Sequence, residues 1–196
     1  MPGRREPLQE RSQALVDSVV VGALHLLRTT PPGDITTAML AEAAGCSAAA
    51  MFRFFEDKES IFVAAAERLQ VVLRARYDVT LAKLQVDADI NMVVRALLGQ
   101  TASFIRREPA FRALRWANLT HPAELQRAYK ETNRRLAVQL HQRFAPKSPG
   151  VAHAFHSAVE AAGHLVGDAF EHNPRGDRQT LRDAGTMVVM FLNSVL

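Results

Sequence analysis

The stretch ITTAMLAEAAGCSAAAMFRFFEDKESIF, residues 35–62, predicts two short helices joined by a glycine turn and followed by the start of a third helix. Thr36 and Thr37 are N-cap residues by type, because a side-chain hydroxyl accepts hydrogen bonds from the free amides of the first helical turn. Gly45 stands where the first of these helices must stop, since glycine takes a left-handed backbone conformation without steric cost.

The second helix of this stretch is expected over residues 48–55, with Ser47 as its N-cap. Asp57 is expected to cap the third helix, which begins near Lys58. Two helices joined by a short glycine turn are typical of a helix-turn-helix, whose second helix lies in the major groove of DNA.

The second helix has two faces when its residues are placed at the helical period. The face expected in the protein core holds Ser47, Met51, Phe54 and Phe55. The opposite face is centred on Ala49 and Arg53 and is flanked by Ala50 and Phe52. Because this opposite face is small and carries one long cation, it would allow the backbone to approach DNA closely.

The stretch resembles the DNA-binding domain of the tetracycline-repressor (TetR) family of bacterial transcription regulators. The matching residues are Thr36, Thr37, Leu40, Ala41, Ala44, Gly45, Ser47, the aromatic run from Phe52 to Phe55, and Lys58. The sequence departs from the usual family pattern at three places. Cys46 replaces a common valine, Phe52 replaces a common tyrosine and so lacks a phosphate-contacting hydroxyl, and alanines at 48–50 stand where polar base-reading residues often occur.

The expected DNA-binding residues combine hydroxyls, small side chains and cations. They are Thr37, Ser47, Ala48, Ala49, Phe52, Arg53 and Lys58. Hydroxyls and free amides at helix N-termini favour anions such as phosphates. Arg53 is the candidate for a base contact, since its fork fits guanine O6 and N7, and the resemblance implies that Lys58 contacts a phosphate. The alternative for each residue is a helix cap or a solvated surface group.

Charge alone does not indicate nucleic-acid binding here. The net charge of the 196-residue chain is +4, but residues 1–60 hold six Lys or Arg against eight Asp or Glu, which gives −2. The remaining residues hold eighteen against twelve, which gives +6. Binding through residues 1–60 would therefore depend on where a few cations lie, and not on their total.

The rest of the sequence predicts an all-α fold with about nine helices and no strand. Residues 1–10 are expected to be a mobile arm, and further helices are expected over residues 12–28, 59–84, 90–107, 109–118, 122–144, 151–171 and from Asp177 to the C-terminus. Ser148 is expected to cap the helix over residues 151–171, and Asp177 is expected to cap the last helix. Residues 1–60 are assigned to a helix-turn-helix DNA-binding domain. Residues 61–196 are assigned to a larger ligand-binding and dimerisation domain, entered through one continuous helix.

The last two helices are rich in small residues, among them Ala158, Ala161, Ala162, Gly163, Gly167 and Gly185. Small residues let helices approach closely. Packing within one chain is one interpretation, and the resemblance implies the other, a homodimer whose four-helix bundle takes two helices from each subunit. A two-fold protein also suits DNA, because one recognition helix reads few bases.

A pocket for an unknown small-molecule effector is expected among the middle helices. Its candidate residues are Phe104, Phe111, Trp116, Asn118, His121, Tyr129 and His164. The alternative is that these aromatic residues belong to the core. Arg106, Arg107, Arg112, Arg115, Arg134 and Arg135 make this half basic and point to an acidic ligand or, alternatively, to a solvated face.

The sequence gives no reason to expect an enzyme, a metal or another cofactor, because no HExxH, GxSxG or phosphate-loop motif occurs. His153, His156 and Glu160 share a helix and could form a metal site. The default interpretation is that the two histidines are partly exposed helix residues that bind no metal. No apolar run is long enough to span a membrane, and the N-terminus is not a signal peptide, so a cytoplasmic protein is expected. The expected function is a dimeric repressor released from a palindromic operator by a ligand. The alternative is an all-α interaction module that does not bind DNA.

Overall fold

The computed structural model describes residues 6–115 and 122–196, and every regular element in these ranges is helical. The nine α-helices of this described part are α1 (Glu6–Leu26), α2 (Thr37–Ala44), α3 (Ala48–Met51), α4 (Lys58–Lys83), α5 (Ile90–Arg107), α6 (Pro109–Arg115), α7 (Pro122–Phe144), α8 (Ala152–Glu171) and α9 (Arg178–Val195). A short 3-10 turn, Pro149–Val151, precedes α8. The predicted all-α fold is confirmed.

The chain forms two compact units. The first contains Met1–Leu69 together with Glu108–Leu125, and the second contains Gln70–Arg107 together with Gln126–Leu196. Helix α4 continues without a break from one unit into the other. The division of domains expected after residue 60 stays a prediction.

The first unit is built on the packing of α1 against α2, and α3 contacts both. Val19, Ala23, Leu40 and Met51 are fully buried. Burying such side chains stabilises a fold by roughly 1.5–3 kcal/mol for each large one. The buried residues of α1 repeat at the spacing of one helical face, which is why the sequence pattern located this helix.

Gly22 sets how closely α1 approaches α2. A Cβ atom at this position would lie 3.0 Å from the carbonyl carbon and 3.1 Å from the carbonyl oxygen of Ala43, and 3.1 Å from the amide nitrogen of Ala44. These neighbours are backbone atoms of a packed helix, which cannot move aside as a flexible side chain does. No sequence motif around Gly22 indicates this close approach.

In the second unit, α8 packs along α9 and α5 contacts both helices. Phe155, Phe170, Ala184 and Leu192 are buried at this packing. Two of the small residues noted in the sequence serve contacts within the chain: a Cβ at Gly185 would lie 3.3 Å from Leu98 Cδ1, and one at Gly163 would lie 3.4 Å from Asn133 Nδ2.

The second helix of the helix-turn-helix is shorter than predicted. It was expected over residues 48–55, but α3 ends at Met51 and a turn follows. Because the helix ends early, its periodicity does not apply to Phe54. This residue was expected in the core and is 40 % exposed. Met51 and Phe55, expected on the same face, are buried.

The first helix is longer than predicted, because α1 begins at Glu6, inside the segment expected to be a mobile arm. Proline at position 7 is compatible with this start, since the first helical turn needs no amide donor. Asp177 caps α9 as predicted: its Oδ1 accepts from Thr180 N at 2.8 Å. Ser148 makes no side-chain cap bond, contrary to expectation.

We expect Gly22→Ala and Gly99→Ala to change stability in opposite directions. Both glycines lie inside helices, where alanine is favoured by about 1 kcal/mol. At Gly99 a Cβ meets nothing within 4 Å, so that gain should be seen. At Gly22 overpacking of about 1–3 kcal/mol should outweigh it. Urea unfolding measures both, and a stabilised Gly22→Ala protein would contradict the close approach.

Candidate nucleic-acid interface

The turn between α2 and α3 is held by backbone bonds that need a glycine. Gly45 has φ 65° and ψ 33°, a left-handed conformation. Its amide donates to Glu42 O at 3.0 Å, and the Cys46 amide donates to Ala41 O at 3.0 Å. This pair of bonds is the Schellman motif, which satisfies carbonyls left unpaired at a helix end. The expected glycine stop is confirmed.

The N-termini of α2 and α3 are capped by hydroxyls. Thr36 Oγ1 accepts from Met39 N at 3.2 Å, and Ser47 Oγ accepts from Ala50 N at 3.1 Å. Both caps have extended backbone conformations. Each hydroxyl keeps its hydrogen for donation, so each helix start presents a donor together with the positive end of its dipole. Thr37, the other N-cap residue by type, is the first residue of α2.

Six of the seven predicted DNA-binding residues are exposed. They are Thr37, Ser47, Ala48, Ala49, Phe52 and Arg53. Thr37 belongs to α2, and the other five lie from the N-cap of α3 to the turn that follows α3. Phe54 joins them, because the Arg53 guanidinium carbon lies 5.9 Å from its ring centroid. Helical periodicity predicted Phe54 in the core because the helix was expected to continue to residue 55, whereas α3 ends at Met51.

Lys58 is the exception, because its ammonium is engaged inside the unit. Its Nζ donates to Ile35 O at 2.9 Å and to Pro32 O at 3.4 Å, and lies 5.9 Å from the Phe62 ring centroid. These bonds tie the segment before α2 to the start of α4. Two of three ammonium donors are used, so one remains for a phosphate.

The start of α4 is fixed by Asp57. Its Oδ1 accepts from Ser60 N at 2.7 Å, and Ser60 Oγ donates to Asp57 O at 2.7 Å. This is the N-cap expected from the sequence. It sets where α4 begins and therefore where Lys58, the first residue of α4, stands relative to the carbonyls it binds.

The predicted effector residues are dispersed in the described part of the chain. Phe104 is buried, with the Arg76 guanidinium carbon 5.0 Å from its ring centroid. Phe111 is buried in the first unit, Tyr129 is half-buried and His164 is exposed. Trp116, Asn118 and His121 lie outside the described residues, so their assignment stays a prediction.

A cavity of about 60 Å³ lies inside the second unit. Its lining is mostly aliphatic, with polar groups from Tyr77, Thr101 and Asn133. Tyr77 Oη lies 2.8 Å from Thr101 Oγ1, and Thr101 Oγ1 donates to Leu97 O at 2.8 Å. Since the single hydroxyl hydrogen of Thr101 is used, Tyr77 is the donor of the pair. Burial raises the pKa of Tyr77 to about 12.

No group of three or more His, Cys, Asp or Glu that could hold a metal occurs among the described residues. His153 and His156 are exposed on α8. None of the helices in the described ranges combines the length and apolarity required to cross a membrane.

Family models match both parts of the chain. The model described as bacterial regulatory proteins, tetR family, matches residues 19–65, which include α2 and α3. The model described as tetracyclin repressor-like, C-terminal domain, matches residues 89–192. A curated relative, the nucleoid occlusion factor SlmA of Haemophilus ducreyi, is 29% identical over 105 residues. That match spans 54% of this chain and 49% of the relative's own length.

Solved structures share the fold over nearly the whole chain. A TetR-family transcriptional regulator from Streptomyces coelicolor has a TM-score of 0.71 at 22% identity, covering 93% of this chain and 99% of that one. A TetR variant from Acinetobacter baumannii in complex with minocycline has a TM-score of 0.51 at 19% identity, covering 91% and 96%.

We expect Lys58→Met to lower the free energy of unfolding by about 1–3 kcal/mol, because hydrogen bonds to a charged group are lost while the apolar stem is kept. Arg53→Met, which removes an exposed cation, should stay within about 0.5 kcal/mol of wild type. Urea unfolding of both variants measures the difference. Equal urea midpoints for the two variants would show that the hydrogen bonds of the Lys58 ammonium do not stabilise the fold.

Proposed function

The chain belongs to the tetR family of bacterial regulatory proteins, and we propose that this transcriptional regulator is a dimeric repressor released from a palindromic operator by a small molecule. The observation that supports DNA binding most directly is the exposed face of α2 and α3. Both helices start at a hydroxyl cap, and the cation of Arg53 lies on the same exposed segment.

We assign the DNA contacts by chemistry. Thr37 and Ser47 offer hydroxyls at helix N-termini to phosphates. Ala48 and Ala49 present little side-chain bulk, which lets the backbone approach the major groove. Arg53 reads a base edge or a phosphate, with Phe52 beside it, and the remaining donor of Lys58 reaches a phosphate.

The proposed dimer forms through α8 and α9. Met187, Met190 and Phe191 of α9 are 57 %, 67 % and 40 % exposed. A run of exposed large apolar side chains on one helix marks an interaction surface. In a two-fold dimer the two α3 helices would read half-sites about 34–36 Å apart, one helical turn of DNA.

The proposed effector acts through differential affinity for two conformers. The cavity lined by Tyr77, Thr101 and Asn133 offers polar groups in an apolar setting, but its volume of about 60 Å³ is below the roughly 300 Å³ of an ordinary ligand pocket. A ligand there would have to open it. Helix α4 is continuous between the units, so its displacement would move α3 of each subunit. The test is to measure operator affinity in the presence and absence of each member of a compound library. If no compound changes the affinity, the proposed release by a small molecule is rejected.

We place the protein in the cytoplasm, where operator DNA is, and assign it no catalytic activity. This agrees with the regulatory character of the family. The interaction-module alternative would require that the exposed face of α3 contact a protein.

The DNA proposal is tested by gel shift with DNA from upstream of the protein's own gene, followed by random-sequence selection if that DNA does not bind. We expect Arg53→Ala to weaken specific binding by about 1–3 kcal/mol, the range for a base-contacting arginine. Arg68→Ala is the matched control, since Arg68 is an exposed cation of the same unit paired with Asp17 at 3.2 Å.

Binding should also fall steeply with salt concentration, because phosphate contacts release counterions. If neither DNA source binds, or if Arg53→Ala and Arg68→Ala bind equally, the assigned face does not read DNA. The interaction-module alternative then becomes the better explanation of the exposed α3 surface.

The dimer is tested by analytical ultracentrifugation of a Met187→Lys/Phe191→Lys variant. We expect wild type to sediment as a dimer and the variant as a folded monomer, because two charges would be buried without partners at the interface. Val86→Lys is the control, since Val86 is 94 % exposed in the loop before α5. A dimeric double variant would place the interface elsewhere.

A further inference from the structure

The exposed surface of α3 and of the turn after it is almost entirely apolar. Ala48, Ala49, Phe52 and Phe54 are exposed, and each of the two phenylalanines is 40 % exposed. Arg53 is the one charged side chain between positions 48 and 54. Exposed apolar residues that are scattered singly are ordinary, but neighbouring ones that form a patch mark an interaction surface.

Three of these apolar side chains lie on one side of α3. The Phe52 amide donates to Ala48 O at 2.9 Å, so Phe52 continues the helical path of Ala48–Met51. At about 100° per residue, Ala48, Ala49 and Phe52 fall within an arc of about 100°, and Met51 lies outside this arc. Burial agrees with this division, since Met51 is fully buried while the other three residues are exposed.

This side of α3 has little capacity for hydrogen bonding. The side chains of alanine and phenylalanine have neither donors nor acceptors. At the start of the helix, the Ser47 hydroxyl already accepts from the Ala50 amide at 3.1 Å as the cap of α3. Apart from Ser47 and Arg53, the surface formed by residues 47–54 can therefore recognise a base only through apolar contact.

The major groove of DNA offers one apolar group that distinguishes base pairs, the C5-methyl group of thymine. Alanine and phenylalanine are among the side chains that contact this methyl group. The other bases present mainly donors and acceptors in the groove, and covering these with a phenyl ring would cost the hydrogen bonds that they make with water. The chemistry of the α3 surface therefore favours thymine over the other bases.

The charge beside this apolar surface also fits DNA. The guanidinium carbon of Arg53 lies 5.9 Å from the Phe54 ring centroid, so the cation and the apolar side chains are adjacent. DNA presents methyl groups inside the major groove and phosphates along its edges, so a single ligand matches both features. The groove is about 12 Å wide and admits an α-helix.

We propose that Phe52, together with Ala48 and Ala49, reads thymine through its C5-methyl group in the major groove of the operator. Phe52 supplies most of the apolar area, and the two alanines let the ring and the helix backbone come close to the base edges. Phe52 is thus a residue that determines sequence specificity. This inference rests on the proposed DNA binding through α3 and adds to it the kind of base that is read.

The experiment uses the full-length protein and the operator obtained by gel shift or by random-sequence selection. Each thymine of a half-site is replaced in turn by uracil, which removes the C5-methyl group and keeps the base pair. At the thymine that Phe52 contacts, we expect the replacement to weaken binding about fourfold, the factor for one methyl group that is no longer buried. Uracil at thymines outside the half-sites is the control and should leave the affinity unchanged.

The protein side of the contact is tested with Phe52→Ala. This variant should bind the thymine operator more weakly than wild type and should no longer distinguish it from the uracil operator, which is the coupling that a double-mutant cycle measures. Val21→Ala is the matched control, because Val21 is another apolar side chain of the first unit and is 51 % exposed on α1. It should keep the full difference between thymine and uracil. Thermal unfolding of both variants checks that they are folded.

The outcomes separate this inference from the proposed function. Operator binding that no uracil replacement weakens would overturn the methyl readout and leave DNA binding intact. A uracil effect that persists in folded Phe52→Ala would overturn the assignment to Phe52. If wild type binds neither DNA source, this inference fails together with the proposed function, and the exposed α3 surface is then a contact for a protein.

Discussion

The bond between the Lys58 ammonium and the Ile35 carbonyl is the contact on which the helix-turn-helix depends. It joins the first residue of α4 to the segment that leads into α2, residues far apart in sequence. The segment that leads into α2, which carries the proposed DNA contacts with α3, is thereby tied to the first turn of α4. A charge-assisted bond is suited to this role because it is directional and stronger than a neutral one.

The Lys58 ammonium therefore has one role that the structure shows and one that is proposed, and both need the same three donors. The family resemblance implies a phosphate contact, whereas the structure shows two of the donors used within the protein. The two roles are compatible only if phosphate takes the third donor, or if DNA displaces the weaker 3.4 Å bond to Pro32. In either case, loss of this cation affects the position of α2 as well as the charge near DNA.

The parts of the fold that the sequence predicted are those decided locally. Thr36, Ser47, Asp57 and Asp177 cap helices because a side chain reaches an amide three residues away, whatever the rest of the chain does. The close approach at Gly22 depends instead on the α2 backbone opposite it, and nothing near Gly22 in sequence signals it.

The same distinction explains what was missed at the sites. The exposure of Phe54 follows from where α3 stops, and residues 52–55 have no helix breaker that would mark that end. The cavity of the second unit is lined by residues of five helices, most of them aliphatic, together with Tyr77 and Asn133. The sequence predicted Phe104 and His164 as pocket residues, but neither lines this cavity. Tertiary packing decides which apolar residues surround a cavity, and the local sequence does not show it.

The negative total of residues 1–60 is not the charge that a phosphate would meet, because two of its eight acids have partners within the protein. The carboxylate of Asp57 caps α4, and that of Asp17 is paired with Arg68. Arg53 extends from the exposed turn after α3. Phosphates respond to the local field, which falls off within about 10 Å at ordinary salt, and not to a sum over sixty residues. In the proposed dimer, α3 has one turn and three alanines, so each subunit would read few bases. Specificity would then come from Arg53 and Phe52, from DNA shape, and from pairing two such faces on one operator.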